Sequence, residues 1–565
     1  MLSWSQNILI DGKFDDWESI TPIEDATNSG SNLDLQRLWI HSDQQFVYLS
    51  FELRQEILLQ EDNDLAIFID FDENEDTGST NTNSRGADLI FEFGERDGLL
   101  FVDGLRTSIN HADVGYVSAP TVSSRRFEIA FRRDDDFYGE MVFSAPTVRA
   151  FMLDQVGGGD RIPDMVTLDH ELIDIAPITV DYNLKKDVND LRVLSFNVQN
   201  DAIFENNSIG AFRRIIRAIQ PDIIAFQEIN DNSEADVQRL MEDIMPTAST
   251  GETWTISKVL PDIIMVSKFQ LIGSLTIDES SSGSSGNGVF VYDLPQCDED
   301  LIFINCHLPC CQSNDSRQDE VDAVMSFVRE YKAGRTQFET KLNSPIIIAG
   351  DMNLVGFDEQ LITFLTGDIQ DEGRFGSDFI PDWDDSDFED ALPYNTNYPT
   401  TFTWYNPNSS FNPGRLDFII YTGSVMDLTN SFSLFTSELP NDTLSTYNLN
   451  ATDIAGASDH LPIVADFRLR KTTSTNEVAS VVKDFEITPN PVTDDFSVQF
   501  QLEKQQLVVL SLTDSAGKLI ETIKNERLTS GYHSFSLSGK ELSAGLYFLN
   551  LKTEEGSTSI KLIKN

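Results

Sequence analysis

At 565 residues the chain is too long for one ordinary hydrophobic core, and three or so domains are expected. Hydrophobic residues make up 40% and aromatic residues 10%, enough to fill real cores and to exclude disorder throughout. A formal net charge of -53 excludes tight, passive binding of nucleic acid or anionic lipid, but attracts divalent cations and still allows transient binding at a cation-neutralised site.

Along the chain, Met1-Leu2-Ser3-Trp4-Ser5-Gln6 reads as the tail of a signal peptide whose start is missing, since no complete one is visible. No run of 18 or more apolar residues reads as a transmembrane helix. Residues 1–175 alternate apolar and polar side chains over short runs, as in Gln45-Phe46-Val47-Tyr48-Leu49-Ser50-Phe51, with acidic and Gly/Asn turns between. This predicts an all-β sandwich. Within it Asp70, Asp72, Asn74 and Asp76 alternate and are candidates for Ca²⁺. The loop is not an EF-hand, because Glu75 stands where the sharp turn needs Gly and Asn81 where a bidentate Glu is needed. A solvated acidic turn is the alternative. Trp17 and Trp39 are candidates for stacking on sugar or for the core.

A mixed stretch, 176–190, leads to residues 191–470, where strands alternate with helices. Ile209 to Ile219 carries Phe212, Ile215, Ile216 and Ile219 on one helical face, and Val321 to Tyr331 is a second helix opened by polar Asp315–Gln318. Four short apolar runs here end in a polar residue that a strand interior would not hold. Leu191–Phe196 ends in Asn197, Asp222–Phe226 in Gln227-Glu228, Leu301–Ile304 in Asn305-Cys306-His307, and Pro345–Gly350 in Asp351-Met352-Asn353. Two more reverse the order: Arg415-Leu416-Asp417 precedes Phe418-Ile419-Ile420, and Ser458-Asp459-His460 precedes Leu461-Pro462-Ile463-Val464. Such runs fit buried strands whose polar ends gather at one rim. Gathered carboxylates need a cation, and oxygen donors suit Mg²⁺ or Mn²⁺ better than zinc. His307 and His460 are the two histidines of this segment, and both stand at such ends, which favours catalysis over a structural role.

All four cysteines, Cys297, Cys306, Cys310 and Cys311, lie in one stretch around His307. Structural disulfides bracing that loop and a metal-thiolate site are both open readings, and four cysteines allow three pairings. A Ser/Thr-rich linker, 471–483, precedes residues 484–565, which read as short strands with Gly turns in a small all-β sandwich. No solenoid-like repeat is evident.

Taken in order, Ser195-Phe196-Asn197, Gln227-Glu228, Asn305-Cys306-His307-Leu308, Gly350-Asp351-Met352-Asn353, Arg415-Leu416-Asp417 and Ser458-Asp459-His460 resemble the blocks of the endonuclease/exonuclease/phosphatase family. The resemblance implies a deoxyribonuclease I-like α/β four-layer sandwich and a divalent-metal-dependent phosphoesterase. It implies metal binding by Asn197, Glu228 and Asp459. His307 would donate to the phosphate, Asp351 and Asn353 would position water and phosphate, and Asp417 would orient the phosphate-side network. His460, paired with Asp459, would act as general base or transition-state stabiliser.

Asp11-Gly12-Lys13-Phe14-Asp15-Asp16-Trp17, Ile69–Gly78, Gly86-Ala87-Asp88 and Gly159–Asp164 together resemble family-9 carbohydrate-binding modules, implying a glycan partner. Thr488-Pro489-Asn490-Pro491, Leu542–Phe548 and the terminal Lys561-Leu562-Ile563-Lys564-Asn565 resemble the type IX secretion sorting domain of Bacteroidetes-like bacteria. That implies recognition by the type IX machinery and release or anchoring outside the cell.

The reading that follows is a multidomain secreted phosphodiesterase acting on extracellular nucleic acid. Phospholipase C-like (sphingomyelinase-type) and phosphomonoester hydrolysis are the enzymatic alternatives, and a glycan-binding adhesin with an inert middle domain is the rival of another class. After Glu228 the run Ile229-Asn230-Asp231-Asn232 lacks a basic residue to grip a phosphate, and no convincing apolar membrane-facing element is visible. Phe402-Thr403-Trp404-Tyr405 could stack a base or fill the core.

Overall fold

Strand Phe46–Ile57 shows how the first half of the chain is assembled, because both of its faces are buried. Val47, Leu49 and Phe51 enter one core with Leu65, Ile67 and Ile69 of strand Leu65–Asp70. Phe46 and Tyr48, on the other side of the pleat, enter a second core that contains Tyr398 and Phe402 of the central region. The computed structural model describes residues 7–565 except 26–29, 82–83, 103, 134–135, 138–139, 142, 144, 165–166, 248–252, 278–285, 296–298, 471–481, 503, 515–517, 541 and 554–555.

The N-terminal region is all β. A five-stranded antiparallel sheet runs in the order Ile23–Glu24, Leu35–Ser42, Phe46–Ile57, Ser124–Arg132, Val117–Ala119. A seven-stranded sheet centred on Leu65–Asp70 and Thr147–Asp154 shares its core. The first sheet is therefore a middle layer, covered on its outer face by the central region. Met1–Leu469 accordingly form one unit, and Arg470–Asn565 form the other. The 176–190 stretch lies along the central region. Leu184 is buried in the shared core, and the carbonyls of Asn183 and Leu184 take hydrogen bonds from the buried Arg192 guanidinium, which is paired at 2.6 Å with Asp466.

The central region is built from two six-stranded sheets. One is ordered Thr255–Lys258, Ile264–Ser267, Ile223–Gln227, Leu191–Asn197, Ile463–Leu469, Met426–Ser433. The other is ordered Gln270–Ile277, Gly286–Asp293, Asp300–His307, Ile346–Asp351, Asp417–Tyr421, Glu389–Asp390. Val193, Ala225 and Ile463 of the first meet Phe303, Ile347 and Ile419 of the second in one inner core. Helices Ile209–Ile219 and Glu234–Ile244 cover the first sheet, and Asn314–Lys332 and Glu359–Thr366 the second. This is the four-layer deoxyribonuclease I-like sandwich. The amphipathic face expected on Ile209–Ile219 is the one buried: Phe212, Ile215, Ile216 and Ile219 all reach the core.

Each sheet has a parallel pair at its centre, Leu191–Asn197 with Ile223–Gln227 and Asp300–His307 with Ile346–Asp351. Parallel strands end on the same side, so four polar C-termini reach one rim. Register aligns them further: His307 lies opposite Asp351, and Asp351 opposite Asp417. Gly350 makes that close pairing feasible, since a Cβ there would lie 1.9 Å from the Cys306 carbonyl oxygen.

The C-terminal unit pairs Val482–Thr488, Asp495–Leu502 and Gly531–Ser538 in one sheet and Leu519–Leu528, Gln506–Asp514, Gly545–Thr553 and Gly556–Lys564 in another, around a core that includes Val498, Phe500, Leu510, Leu549 and Leu551.

Candidate active site

Asn197, the last residue of its strand and fully buried, donates from Nδ2 to Glu228 Oε1 and to Asp351 Oδ2, both at 2.9 Å. Its Oδ1 accepts from the Gln199 backbone. The amide nitrogen thus separates two carboxylates that would otherwise repel each other. Glu228 adopts a left-handed backbone, φ 64°, with its carbonyl held by the Asp201 N–H and its Oε2 by the Asn200 N–H. A non-glycine residue in that conformation is strained, and such strain persists only where the surroundings impose it. Lys258 is committed to the carbonyls of Ile229, Asn230 and Asn232, so it braces the loop after Glu228.

Two histidines converge on Asp351. His307 Nε2 and His460 Nε2 each lie 3.6 Å from Asp351 Oδ2. Each ring is clamped from behind by a buried acid: His307 Nδ1 donates to Asp262 at 2.6 Å, and His460 Nδ1 to Asp417 at 2.9 Å. Those bonds fix Nε2 of both rings toward the same gap. Burial disfavours charge on His307, but the Asp262 hydrogen bond and the charges of Asp351, Asp262 and Glu228 outweigh it and raise its pKa to about 9. Burial is likewise outweighed at His460 by Asp417 and Asp351, which raise it to about 10. Asp417 is raised to about 6 by burial, against the pull of His460. Its Oδ2 also accepts from Thr403 Oγ1 at 2.7 Å. Asn353, φ 48°, donates from Nδ2 to the Leu308 carbonyl, and its N–H bonds Asp351 Oδ1.

Asp459 is not the hydrogen-bond partner of the His460 ring, though its charge also raises the pKa of that ring, and its carbonyl accepts from the Tyr405 N–H. The ring of His460 is oriented by Asp417, 43 residues away. Asp262, which sequence reasoning passed over, is the matching partner of His307. Asp262-Ile263-Ile264-Met265-Val266 repeats the order of Asp417-Phe418-Ile419-Ile420, a polar residue leading an apolar run, so the signal was present.

Among the described cysteines no disulfide is formed. Cys306, Cys310 and Cys311 are free thiols, and Cys297 lies outside the described residues. Cys306 is buried in the core shared with helix Asn314–Lys332, while Cys310 and Cys311, beyond the end of the strand, are exposed. The loop is braced by a buried cation: Arg317 donates to the carbonyls of Pro309 and Cys311.

In the sandwich, the carboxylates of Asp70, Asp72 and Asp88 have ligand atoms within 4.8 Å of one another. Asp76 is outside that group and lies 3.5 Å from Arg85, while Asn74 Oδ1 accepts from the Asp76 N–H. Trp17 and Trp39 are 0% and 6% exposed, so neither offers a face to sugar. Trp17 Nε1 donates to buried Glu128, and the Arg126 guanidinium lies over the Trp39 ring. Phe402 is core, packed with Tyr398, Tyr405 and Phe435, whereas Trp404 is half-buried.

Glu228, His307 and Asp351 form one group able to hold a metal ion, and Asp351, Asp417 and His460 a second. Residues 194–460 match the model of the Endonuclease/Exonuclease/phosphatase family. The central domain belongs to that family. It is a metal-dependent hydrolase of phosphate esters, and its oxygen-rich rim fits a hard divalent cation. Residues 486–565 match the Secretion system C-terminal sorting domain, so this phosphoesterase is secreted or displayed on the outer cell surface. Among solved structures, the chain is similar to the human Nocturnin catalytic domain with bound sulfate, at 15% identity over 50% of this chain and 95% of that one, TM-score 0.32. It is similar to truncated TDP2 from Caenorhabditis elegans, at 18% over 49% and 97%, TM-score 0.33. It is also similar to D. rerio TDP2 complexed with a single-strand DNA product, at 15% over 49% and 98%, TM-score 0.32. No curated protein matches the chain.

Proposed function

We propose that this phosphoesterase is an extracellular phosphodiesterase that hydrolyses nucleic acid with Mg²⁺ or Mn²⁺. The observation that carries the proposal is the pair of acid-clamped imidazoles, each 3.6 Å from Asp351. Both rings are raised well above neutrality, so each presents a charged Nε2–H to the gap. Two such donors suit the non-bridging oxygens and the leaving oxygen of a phosphodiester, where negative charge grows. Asp351, between them, is placed to orient an attacking water and accept its proton. Asn353 holds the Leu308 backbone and with it the approach of His307. Glu228 and Asp351, with Asn197 beside them, would hold the cation, which when bound supplies Lewis-acid polarisation of the phosphate.

Nucleic acid is favoured within phosphodiesters by Trp404. Its backbone pairs with that of His460, and its half-buried ring would give a base a stacking surface. In the sandwich, Asp70, Asp72 and Asp88 would hold Ca²⁺, a structural role away from the chemistry.

A panel of DNA, RNA, sphingomyelin, a chromogenic phosphodiester and a phosphomonoester tests the reading. The full chain with Mg²⁺ should cut DNA or RNA fastest, lose activity in chelator and recover it with Mg²⁺ or Mn²⁺. Fastest turnover of sphingomyelin or of the monoester would transfer the proposal to those substrates. Undiminished activity after exhaustive chelation would sink it.

A further inference from the structure

A single turn of the N-terminal sandwich, Thr121-Val122-Ser123, sits between the two segments that carry the acids of the active site. On one side, Thr121 Oγ1 accepts the Arg415 N–H at 2.9 Å. Its methyl comes so close to Gly414 that a Cβ there would lie 3.0 Å away, so only glycine allows this approach without displacement. On the other side, the Ser123 N–H donates to the Gly356 carbonyl at 2.8 Å. Between them Val122 packs on the core that holds Met352, Leu354 and Phe418. Ser123 Oγ ties the turn back to Glu56 of the sandwich.

The gripped segments are short. Arg415 is two residues from Asp417, and Gly356 is three from Asn353 and five from Asp351. Thr403 Oγ1 accepts from the backbone of both Leu416 and Asp417 before donating to the Asp417 carboxylate, and the Met352 N–H bonds the Leu416 carbonyl. A shift at Arg415 therefore moves Asp417, and with it the His460 ring, relative to Asp351.

We propose that Thr121 and Val122 are positioning residues for catalysis: the sandwich wedges the rim open to the spacing the two histidines need. The inference rests on the site read above as the catalytic centre. Misplacement of a reacting group by an ångström or less lowers turnover by roughly ten- to a hundredfold.

The test uses the full chain. Thr121→Val keeps the shape and removes the acceptor, Thr121→Ser restores it, and Val122→Ala loosens the other side. Thr121→Val should lower kcat on the phosphodiester about tenfold with KM within about twofold and the unfolding temperature unchanged. Thr121→Ser should return kcat to the wild-type value. Amide hydrogen exchange across 403–417 should speed up roughly tenfold in Thr121→Val, and exchange across 352–356 in Val122→Ala. Unchanged exchange in those segments overturns the wedge. So does unchanged kcat despite faster exchange, or a kcat loss that serine does not rescue. A wild-type chain inactive on every phosphoester would instead overturn the catalytic reading, and exchange would still decide the wedge.

Discussion

The catalytic rim and the acidic loop of the sandwich both gather three or more carboxylate or imidazole groups, yet they are held in opposite ways. Asp70 accepts from the N–H groups of Asp72 and Glu73, and Asp72 from that of Asn74 and from the Thr77 hydroxyl, all within five residues. Local backbone holds Asp70 and Asp72 in that loop, while Arg149 pairs with Asp70 at 3.5 Å from a distant strand. At the rim, Asn197 bonds residues 31 and 154 positions away, His307 an acid 45 away, and His460 an acid 43 away. No local turn makes such contacts. Only strand register assembles them, and the polar ends would be a liability there without a chemical use. Side chains fixed by other side chains, with Nε2 atoms aimed at a shared gap, mark the rim as the reactive region. Acids tied to their own backbone mark the loop as a structural one.

Removing a ring from the rim should break this contrast most visibly. His460→Ala and His307→Ala, each checked for folding by circular dichroism, should reduce kcat roughly 10²- to 10⁴-fold. A comparable truncation in the acidic loop should leave kcat near wild type. Two folded histidine variants that retain full turnover on all phosphoesters would refute the rim as the site.

The clamping acids sharpen the contrast at smaller amplitude. Asp262→Asn and Asp417→Asn should each lower kcat about 10- to 100-fold, because the rings stay but lose the anion that orients and charges them. Asp459→Asn, whose carboxylate acts on His460 through charge but is not its hydrogen-bond partner, should change kcat by less than about threefold. Steady-state kinetics on one chromogenic diester separates the three, and an Asp459→Asn loss as large as that of Asp417→Asn would reverse the assignment.

Sequence reasoning reached the strands and most of the rim for one physical reason. A polar residue at the end of an apolar run is expensive to bury, so Asn197, Glu228, His307, Asp351, Asp417 and His460 announce themselves. Pairing is another matter. Among 93 aspartates and glutamates, adjacency in the chain pointed to Asp459 as the partner of His460, whereas adjacency in space, set by register, chose Asp417 and Asp262. The tryptophans show the same limit. Alternation on Phe46–Ile57 gave an inside and an outside, but could not reveal that the outside would be covered by another domain, which buries Trp39 and Trp17. The acidic loop was legible as a loop, while Asp88, its third carboxylate, arrives from the next strand pair.

Asp88 supplies the subtlest test, one of stability. Burial, with the charges of Asp72 and Asp70 behind it and the Phe71 N–H opposing, raises its pKa from 3.8 to about 7. A carboxyl raised in the folded state binds protons more tightly there than in the unfolded chain. Its contribution to stability is full below pH 3.8, falls as pH rises through about 7, and is flat above. The loss across that window is on the order of 2–4 kcal/mol without a cation. Asp88→Asn cannot titrate, so urea midpoints at pH 5 and pH 8 should differ less in the variant than in the wild-type chain, other groups being common to both. A Ca²⁺ ion at Asp70, Asp72 and Asp88 would neutralise the same charge. Added Ca²⁺ should then raise the wild-type midpoint at pH 8, by an amount set by concentration over affinity, and leave Asp88→Asn unmoved. Equal Ca²⁺ responses in both chains would show that the loop is a turn whose carboxylates simply share protons, and would leave the rim as the one region of the pair built around a metal.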